Sequence, residues 1–155
     1  MAEKLSINNP MFSKTTEYAI RAIIFLSVKT DINKLKGLSD IAVELNFPEA
    51  FLGKVLQNLV RAGLIVSVKG PGGGFYINGN TLNITILDIV EILEGLNFLN
   101  KCGLGMHLCN KENPCPIHDE YKSVSENIRK ALSYKSIKDI SEDVKSGNNN
   151  LSFSF

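Results

Sequence analysis

The sequence predicts a mainly α-helical protein with a small β-hairpin, arranged as a winged helix-turn-helix domain followed by a long helix suited to dimerisation. Three observations predict this fold class. Three amphipathic segments follow one another between residues 13 and 62, two short strand-like segments joined by a glycine-rich tip come next, and apolar residues recur at spacings of three and four after residue 118. A chain of 155 residues is long enough for one such domain with an accessory arm.

The first three helices are predicted from their stripes and their end signals. The first covers SKTTEYAIRAIIFLSVK, with Ser13 as the predicted N-cap. A polar connection, TDINKLKG, leads to LSDIAVELN, where Ser39 is the predicted N-cap and the helix ends near Asn46. Pro48 then occupies a position typical of a helix start, and FLGKVLQNLVRAG continues at helical spacing until Gly63. Two helices separated by a tight turn predict a helix-turn-helix.

A hairpin follows the third helix. LIVSV (64–68) and FYI (75–77) are typical of strands, and KGPGGG (69–74) between them is typical of a turn. The glycine-rich loop does not indicate a nucleotide site, because such loops lead from a strand into a helix and are followed by Gly-Lys-Ser/Thr. In a winged domain the third helix enters the major groove of DNA, and the hairpin tip reaches the backbone or the minor groove.

Candidate DNA contacts lie on the third helix and on the hairpin tip. A lysine beside several glycines brings a positive charge to a backbone with little bulk, which allows close approach to phosphates or to a narrow groove. The polar residues of the helix would equally suit an ordinary solvated face, and winged helices also serve as protein–protein adaptors. The full candidate set is Lys14, Glu49, Lys54, Gln57, Asn58, Arg61, Lys69, Gly70 and Gly72.

Charge and composition limit the function classes. The net charge is +1, with nine basic and six acidic side chains in residues 1–80 and eight and ten in residues 81–155, so charge alone does not indicate nucleic acid. The apolar run AIIFLSV is too short to cross a bilayer, and MAEKLSINNPMF lacks the features of a secretory signal. We therefore expect a cytosolic protein without a membrane partner, whose cysteines are more typical of metal ligands, reactive thiols or packing residues than of disulfides.

Further helices are predicted after the hairpin. TILDIVEILEG has Thr85 and Asp88 in capping-box spacing. HDEYKSVSENIRKALSYKS carries a narrow apolar seam of the kind that pairs helices, which favours a homodimer, although such a seam could also be buried within its own domain. The seam consists of Tyr121, Val124, Ile128 and Leu132. SIKDISEDV is predicted to form one more short helix, and SGNNNLSFSF a disordered tail.

All three cysteines and both histidines lie in CGLGMHLCNKENPCPIH, residues 102–118, with the spacing Cys-x6-Cys-x5-Cys-x2-His. Thiolates bind soft or borderline metals, and a loop rich in glycine and proline can wrap them around a centre. Structural zinc usually takes paired Cys-x2-Cys knuckles, so the longer gaps favour an iron–sulfur cluster, with zinc and a metal-free thiol-redox role as alternatives. A cysteine near a histidine could be a nucleophile pair, but nothing indicates an oxyanion site or an orienting third group, and no enzyme is predicted.

One known family resembles this sequence. VRAGLIVSVKGPGGGFYI resembles the third-helix end and the wing of the IscR/NsrR-type family of bacterial winged-helix transcription regulators. The resemblance extends to TTEYAIRAIIFLS, to DIAVEL and to the three-cysteine window, so it covers most of residues 11–135. It implies sequence-specific binding to double-stranded promoter DNA as a homodimer, with an iron–sulfur cluster setting the affinity in many members. Lys69 stands where many relatives have arginine, and Gly53 where relatives often carry a polar side chain.

For the metal site, the resemblance implies Cys102, Cys109 and Cys115 as ligands, with six residues instead of the common five between the first two. The fourth ligand differs within the family. A histidine three residues after the last cysteine matches His118, which we favour, whereas an acidic residue of the first helix from the partner subunit matches Glu17. We expect a [2Fe-2S] cluster, since histidine ligation of such an iron has precedent, with a [4Fe-4S] cluster or no cluster as alternatives.

The sequence thus predicts a homodimeric DNA-binding transcription regulator whose promoter affinity an iron–sulfur cluster controls. The alternatives are a regulator of the same family without a cluster, which senses through thiol redox or a protein partner, and a winged-helix protein–protein adaptor. The predicted segments are a winged helix-turn-helix domain at 11–95, a cysteine-rich sensing loop at 96–118, a dimerisation helix with a short C-terminal helix at 119–145, and a disordered tail at 146–155.

Overall fold

The computed structural model describes residues 11–31 and 33–147, which form two compact units divided between residues 78 and 79. The described residues contain seven α-helices and a two-stranded antiparallel sheet, which confirms the predicted fold class. The predicted disordered tail lies outside the described residues except for Ser146 and Gly147, which form a turn after the last helix. In the described ranges, no helix combines the length and the apolar character needed to cross a bilayer.

The first unit contains three helices and a hairpin. Its elements are α1 (Lys14–Lys29), α2 (Leu38–Leu45), α3 (Glu49–Arg61), β1 (Ile65–Val68) and β2 (Gly74–Ile77). All three helices contribute to one apolar core, in which Phe25, Leu45 and Leu56 are fully buried. Complete burial of a side chain of this size stabilises the fold by about 1.5–3 kcal/mol relative to exposure. The core therefore fixes the mutual packing of α1, α2 and α3.

The helix starts in this unit agree with the sequence in one case and differ in another. Ser13 caps α1 as predicted, since its hydroxyl accepts a backbone N–H at 3.2 Å. The predicted N-cap of α2 is wrong, because Gly37 is the cap and Ser39 lies inside the first turn. There its hydroxyl donates to Oε1 of Glu49 at 3.0 Å. A serine just before an apolar stripe can occupy either position, and local propensity does not separate them.

The turn between α2 and α3 is built as the sequence predicts. Asn46 ends α2 with φ 54°, the left-handed conformation that asparagine tolerates better than most residues. The next backbone N–H, of Phe47, bonds to the carbonyl of Ala42 at 2.9 Å, and Pro48 then precedes the first residue of α3. Gly63, with φ 73°, follows the end of α3. The helix-turn-helix is therefore closed by local signals at both ends of α3.

The wing has a third partner that the sequence did not indicate. β1 and β2 pair antiparallel, with Val68 opposite Gly74. The backbone of Lys36, in the predicted polar connection, also pairs with β2 through two hydrogen bonds to Phe75, of 2.8 and 3.1 Å. A Cβ atom at position 74 would lie 2.6 Å from the Lys36 carbonyl oxygen. Glycine at this position therefore permits the close approach of the connection to the wing.

The second unit contains a short 3-10 helix (Gly79–Asn83) and four α-helices. The α-helices are α4 (Ile86–Glu94), α5 (Asn97–Asn100), α6 (His118–Ser133) and α7 (Ile137–Lys145). α6 packs against α4 and α5, and α7 packs against the 3-10 helix. The capping box predicted at Thr85 and Asp88 is present, and a second one, at Ser136 and Asp139, starts α7. α5 and the 3-10 helix escaped prediction because segments of four or five residues show no periodicity.

The long helix α6 is little covered by the other described residues of its own unit. Only Ser125 among its 16 residues is buried. The predicted seam divides into two parts: Tyr121 is half-buried and donates its hydroxyl to the Phe98 carbonyl at 2.9 Å, whereas Val124 is 54% exposed. Tyr121 therefore packs within its own unit, whereas Val124 is exposed to solvent.

Candidate metal centre and nucleic-acid interface

The segment between α5 and α6, which we call the cysteine loop (residues 101–117), is shaped by its own backbone. The carbonyl of Cys102 accepts the N–H of Gly105 at 2.9 Å, and the carbonyl of Cys115 accepts the N–H of His118 at 3.0 Å. These hydrogen bonds close one turn at the first cysteine and another at the last. The second turn leads directly into α6, so the last cysteine is fixed beside the start of that helix.

A second small structure fixes the spacing between the other two cysteines. The side-chain oxygen of Asn110 accepts the N–H groups of Glu112 and Asn113, both at 2.8 Å. The backbone N–H of Asn110 in turn bonds to the carbonyl of Asn113 at 3.2 Å. Asparagine favours such local side-chain turns. The polar residues after Cys109 therefore fold the loop back towards Cys115.

Three sulfur atoms converge as a result. The Sγ atoms of Cys102, Cys109 and Cys115 all lie within 4.8 Å of one another. The sulfurs of Cys102 and Cys115 are 3.5 Å apart, and the backbone N–H of Cys115 donates to Cys109 Sγ at 3.3 Å. Two thiolates on one tetrahedral metal, with metal–sulfur bonds near 2.3 Å, are about 3.8 Å apart. The sulfur spacing therefore suits a shared soft-metal centre.

The two candidate fourth ligands lie in different units. His118 Nδ1 is 3.1 Å from Cys109 Sγ. Among the described residues, however, the ligand atoms that all lie within 4.8 Å of one another are the three cysteine sulfurs, and His118 does not belong to this group. Glu17 belongs to the first unit, where its carboxylate lies 3.8 Å from Lys14 Nζ and 4.0 Å from an Arg21 guanidinium nitrogen. His118 therefore lies at the edge of the sulfur group, where it contacts Cys109.

Space and charge beside the sulfurs also fit a metal centre. The three cysteines and His118 line an open cavity of about 420 Å³. Four basic side chains and one acidic side chain share its lining: Lys101, Lys111, Lys122, Arg129 and Glu126. A basic surrounding stabilises the negative charge that several thiolates carry. The three thiols, the volume of the cavity and the basic side chains of its lining are therefore all compatible with a metal centre.

The three thiols are not electrostatically equivalent. A backbone hydrogen bond from Met106, aided by a second backbone N–H and the neighbouring thiols, lowers the pKa of Cys102 to about 7 against the opposing effect of burial. A backbone hydrogen bond at Ile117 would lower the pKa of Cys115, but burial and the two other thiols outweigh it and raise that pKa. The thiolate is the form that binds metals and reacts with oxidants. Of these two cysteines, Cys102 therefore forms the reactive thiolate more readily.

Gly103 and Tyr121 contribute to the site in a way that the sequence did not indicate. A Cβ atom at position 103 would lie 2.5 Å from Cδ2 of the Tyr121 ring. The ring is itself fixed by its hydroxyl bond to the Phe98 carbonyl. Glycine next to the first cysteine therefore lets the cysteine loop lie against α6. The only sequence signal was a glycine beside a cysteine, which is equally typical of a flexible loop.

All nine candidate DNA contacts are exposed. On α3, Gln57 and Asn58 each lie three or four residues from both Lys54 and Arg61, so the four side chains share one face, opposite the buried stripe of that helix. Glu49 starts α3 and accepts the Ser39 hydroxyl. Lys54, Gln57, Asn58 and Arg61 together form what we call the α3 stripe, a polar face on the second helix of the helix-turn-helix.

The remaining candidates lie at the start of α1 and at the wing tip. Lys14 has 62% of its side chain exposed. At the tip, Gly70 and Gly72 have φ values of 95° and 74°, which favour glycine, and a Cβ atom at either position would meet nothing within 4 Å. Lys69 beside them is exposed. The tip is therefore a narrow, weakly obstructed surface that carries one positive charge.

Known proteins share this sequence pattern and this fold. The sequence model of the Rrf2 family, described as an iron-dependent transcriptional regulator, matches residues 12–143. A protein of Aquifex aeolicus, provisionally named an HTH-type transcriptional regulator, is 33% identical over 132 residues, which are 84% of this chain and 90% of that protein. T. potens IscR has a TM-score of 0.69 at 20% identity, covering 94% of this chain and 96% of its own. CymR, the global cysteine regulator of B. subtilis, has a TM-score of 0.68 at 21% identity, covering 86% and 97%.

Proposed function

Because this chain belongs to the Rrf2 family of transcriptional regulators, we propose that it acts as a homodimer whose affinity for promoter DNA is controlled by an iron–sulfur cluster held by Cys102, Cys109 and Cys115. The observation that carries the proposal is the convergence of the three sulfurs within 4.8 Å. The cavity beside them and its basic lining support it, since a cluster needs both room and compensation of its negative charge.

Four donors would hold the cluster. The three cysteines supply thiolates, and we propose His118 as the fourth ligand, since its imidazole already lies 3.1 Å from Cys109 Sγ. Glu17 of the partner subunit is the alternative. Histidine ligation of a [2Fe-2S] iron has precedent, so this cluster type is proposed ahead of [4Fe-4S]. When bound, the cluster supplies a centre that responds to oxidants and to iron supply.

The position of the cysteine loop offers a route from the thiols to the DNA. His118 is the first residue of α6, and Cys115 is hydrogen-bonded to it through the backbone. A change in how the thiols are held would therefore act on the start of α6. We propose α6 as the dimerisation helix, because one edge of it is open and apolar at Val124. A dimer places two recognition helices on half-sites about one DNA turn apart, so a change at its interface alters how both fit.

The α3 stripe is the proposed reading surface. Lys54 and Arg61 can neutralise phosphates or donate to guanine, and Gln57 and Asn58 have the paired donor and acceptor that match adenine. Glu49, at the start of α3 and outside the stripe, can accept from the amino group of cytosine. Lys14 and the wing tip at Lys69, Gly70 and Gly72 are proposed to contact the backbone, where a compact ammonium group suffices.

A second candidate function needs no cluster. Cys102 and Cys115 have their sulfurs 3.5 Å apart, and the pKa of Cys102 is lowered to about 7. A hydroperoxide could oxidise this pair to a disulfide. The S–S bond forms as the O–O bond of the peroxide breaks, and the two thiol protons pass to the peroxide oxygens, which leave as an alcohol and water. The chain would then sense oxidants through its thiols. Metal and sulfide analysis of the purified protein separates this candidate from the first.

The DNA-binding part of the proposal is tested by selection from a random library of double-stranded DNA. We expect the wild-type protein to enrich one palindromic duplex, and its affinity to fall steeply with salt because basic side chains displace counterions from phosphates. Lys69→Ala should weaken binding and make the logarithmic salt slope shallower by about 0.9 per subunit, or about 1.8 per dimer, if each lysine neutralises one phosphate.

Lys138→Ala is the matched control, since this exposed lysine lies on α7 in the second unit. An unchanged salt slope for Lys69→Ala would remove the wing tip from the interface. Failure to retain any duplex at low salt would contradict DNA binding and favour the adaptor function.

A further inference from the structure

The helix-turn-helix turn is held from the side by a charged residue of α1. Arg21 lies near the middle of α1, and its guanidinium donates to the carbonyl of Leu45, the last residue of α2, at 3.4 Å. The final carbonyls of a helix lack partners within it, and the C-terminus carries a partial negative charge. The last turn of α2 contains no basic residue of its own. Arg21 supplies this missing cation from another helix.

The same guanidinium also lies on an aromatic stack that reaches α3. Its central carbon is 4.3 Å from the ring centroid of Phe47, in the turn. Phe47 stacks on Tyr18 with centroids 3.8 Å apart, and Tyr18 contacts Phe51 of α3 edge-on at 5.2 Å. A planar guanidinium both stacks on a ring and donates in its own plane, which lysine cannot do. The side chain of Arg21 is 20% exposed, so these contacts are partly shielded from water.

We propose that Arg21 is a positioning residue for DNA recognition: it sets the angle of α3 by holding the turn at Leu45 and Phe47, and it does so without touching DNA. The proposal rests on the DNA-binding function proposed above. Base readout depends on the placement of a few side chains, whereas non-specific binding depends on total positive charge near phosphates. A misplaced α3 should therefore lose discrimination between sequences while keeping its general affinity for DNA.

The test compares two variants that lose the same charge, Arg21→Gln and Lys54→Gln. Binding is measured for the duplex selected by the wild-type protein and for a scrambled duplex, over a salt series and well below the unfolding temperature. For Arg21→Gln we expect the affinity for the selected duplex to fall roughly tenfold, that for the scrambled duplex to stay within about twofold, and the salt slope to be unchanged. For Lys54→Gln we expect both affinities to fall and the slope to become shallower by about 1.8 per dimer.

Two results would overturn the proposal. A shallower salt slope for Arg21→Gln would show that Arg21 itself neutralises a phosphate. A proportional loss of affinity for both duplexes would show a merely structural role. If Arg21→Gln does not fold, Arg21→Lys keeps the cation and loses the planar contacts, and it should reduce discrimination in the same direction by a smaller factor. Wild-type protein that enriches no duplex would instead contradict the proposed function.

Discussion

Replacement of Cys102 by serine is expected to abolish the iron and acid-labile sulfide content of the anaerobically purified protein, together with its visible absorption. The substitution removes one of three convergent sulfurs and leaves a hydroxyl, which is neither ionised at neutral pH nor a soft ligand. The same loss is expected for Cys109→Ser and Cys115→Ser. The measurement is iron and sulfide per subunit, with an absorption spectrum of each preparation.

His107→Ala is the matched control, because this exposed histidine lies in the same loop but outside the sulfur group. It should retain full iron and sulfide. Cys102→Ser protein with wild-type iron and sulfide would contradict the proposed ligand set. Wild-type protein that contains zinc without sulfide, or no metal when purified from cells with ample cluster supply, would favour the alternatives and leave the DNA-binding function standing.

The fourth ligand is separated by two further substitutions in the same assay. His118→Ala should change the visible spectrum if the imidazole binds iron, and Glu17→Gln should then leave the spectrum unchanged. The opposite pattern would indicate Glu17 of the partner subunit. The two donors differ in charge and softness, so exchange of either for a non-ligand should alter the absorption of the cluster.

Val124→Asp is expected to convert the homodimer into a monomer. Val124 is 54% exposed in the single chain, so an aspartate there leaves the subunit's own packing intact but would place a charge in a buried dimer interface. Separation of the two recognition helices should lower the affinity for the selected duplex about 100-fold or more, because the second half-site no longer benefits from a high effective concentration. Light scattering gives the mass, and titration of the duplex gives the affinity.

Ser123→Asp introduces the same side chain at the preceding exposed position of α6, away from the seam. It should leave the mass and the affinity unchanged. If the Val124→Asp protein remains a dimer at the protein concentration at which the wild type is a dimer, the dimer interface lies elsewhere. Circular dichroism of both variants checks that α6 still forms.

Much of the fold could be predicted because its signals are local. Several helix ends lie where the sequence placed them. They are marked by Ser13, by Asn46, by Pro48, and by the pair Thr85 and Asp88. The pairing of Lys36 with the wing could not be predicted, since it joins residues far apart in the chain and shows no period. The start of α2 was misplaced because the hydroxyl of Ser39 serves a residue of the next helix.

The site was predicted in part for the same reason. The spacing of the cysteines indicated a common centre, and the structure brings their sulfurs together. The Asn110 turn and the contact of Gly103 with Tyr121, which place those sulfurs, depend on the path of the loop in space. The resemblance to a family of winged-helix regulators is confirmed by the Rrf2 match over residues 12–143. The DNA contacts and the fourth ligand stay predictions.

The central claim is that the state of the cysteine centre controls DNA affinity. The most direct measurement is the affinity of one anaerobic preparation for its selected duplex, before and after removal of the metal by a chelator, with iron, sulfide and subunit mass determined in both states. We predict a dimer in both states and a change in affinity of about tenfold or more, which corresponds to the coupling energies typical of two linked sites. Equal affinities in the two states, with the cluster shown to be present and then absent, would contradict the account.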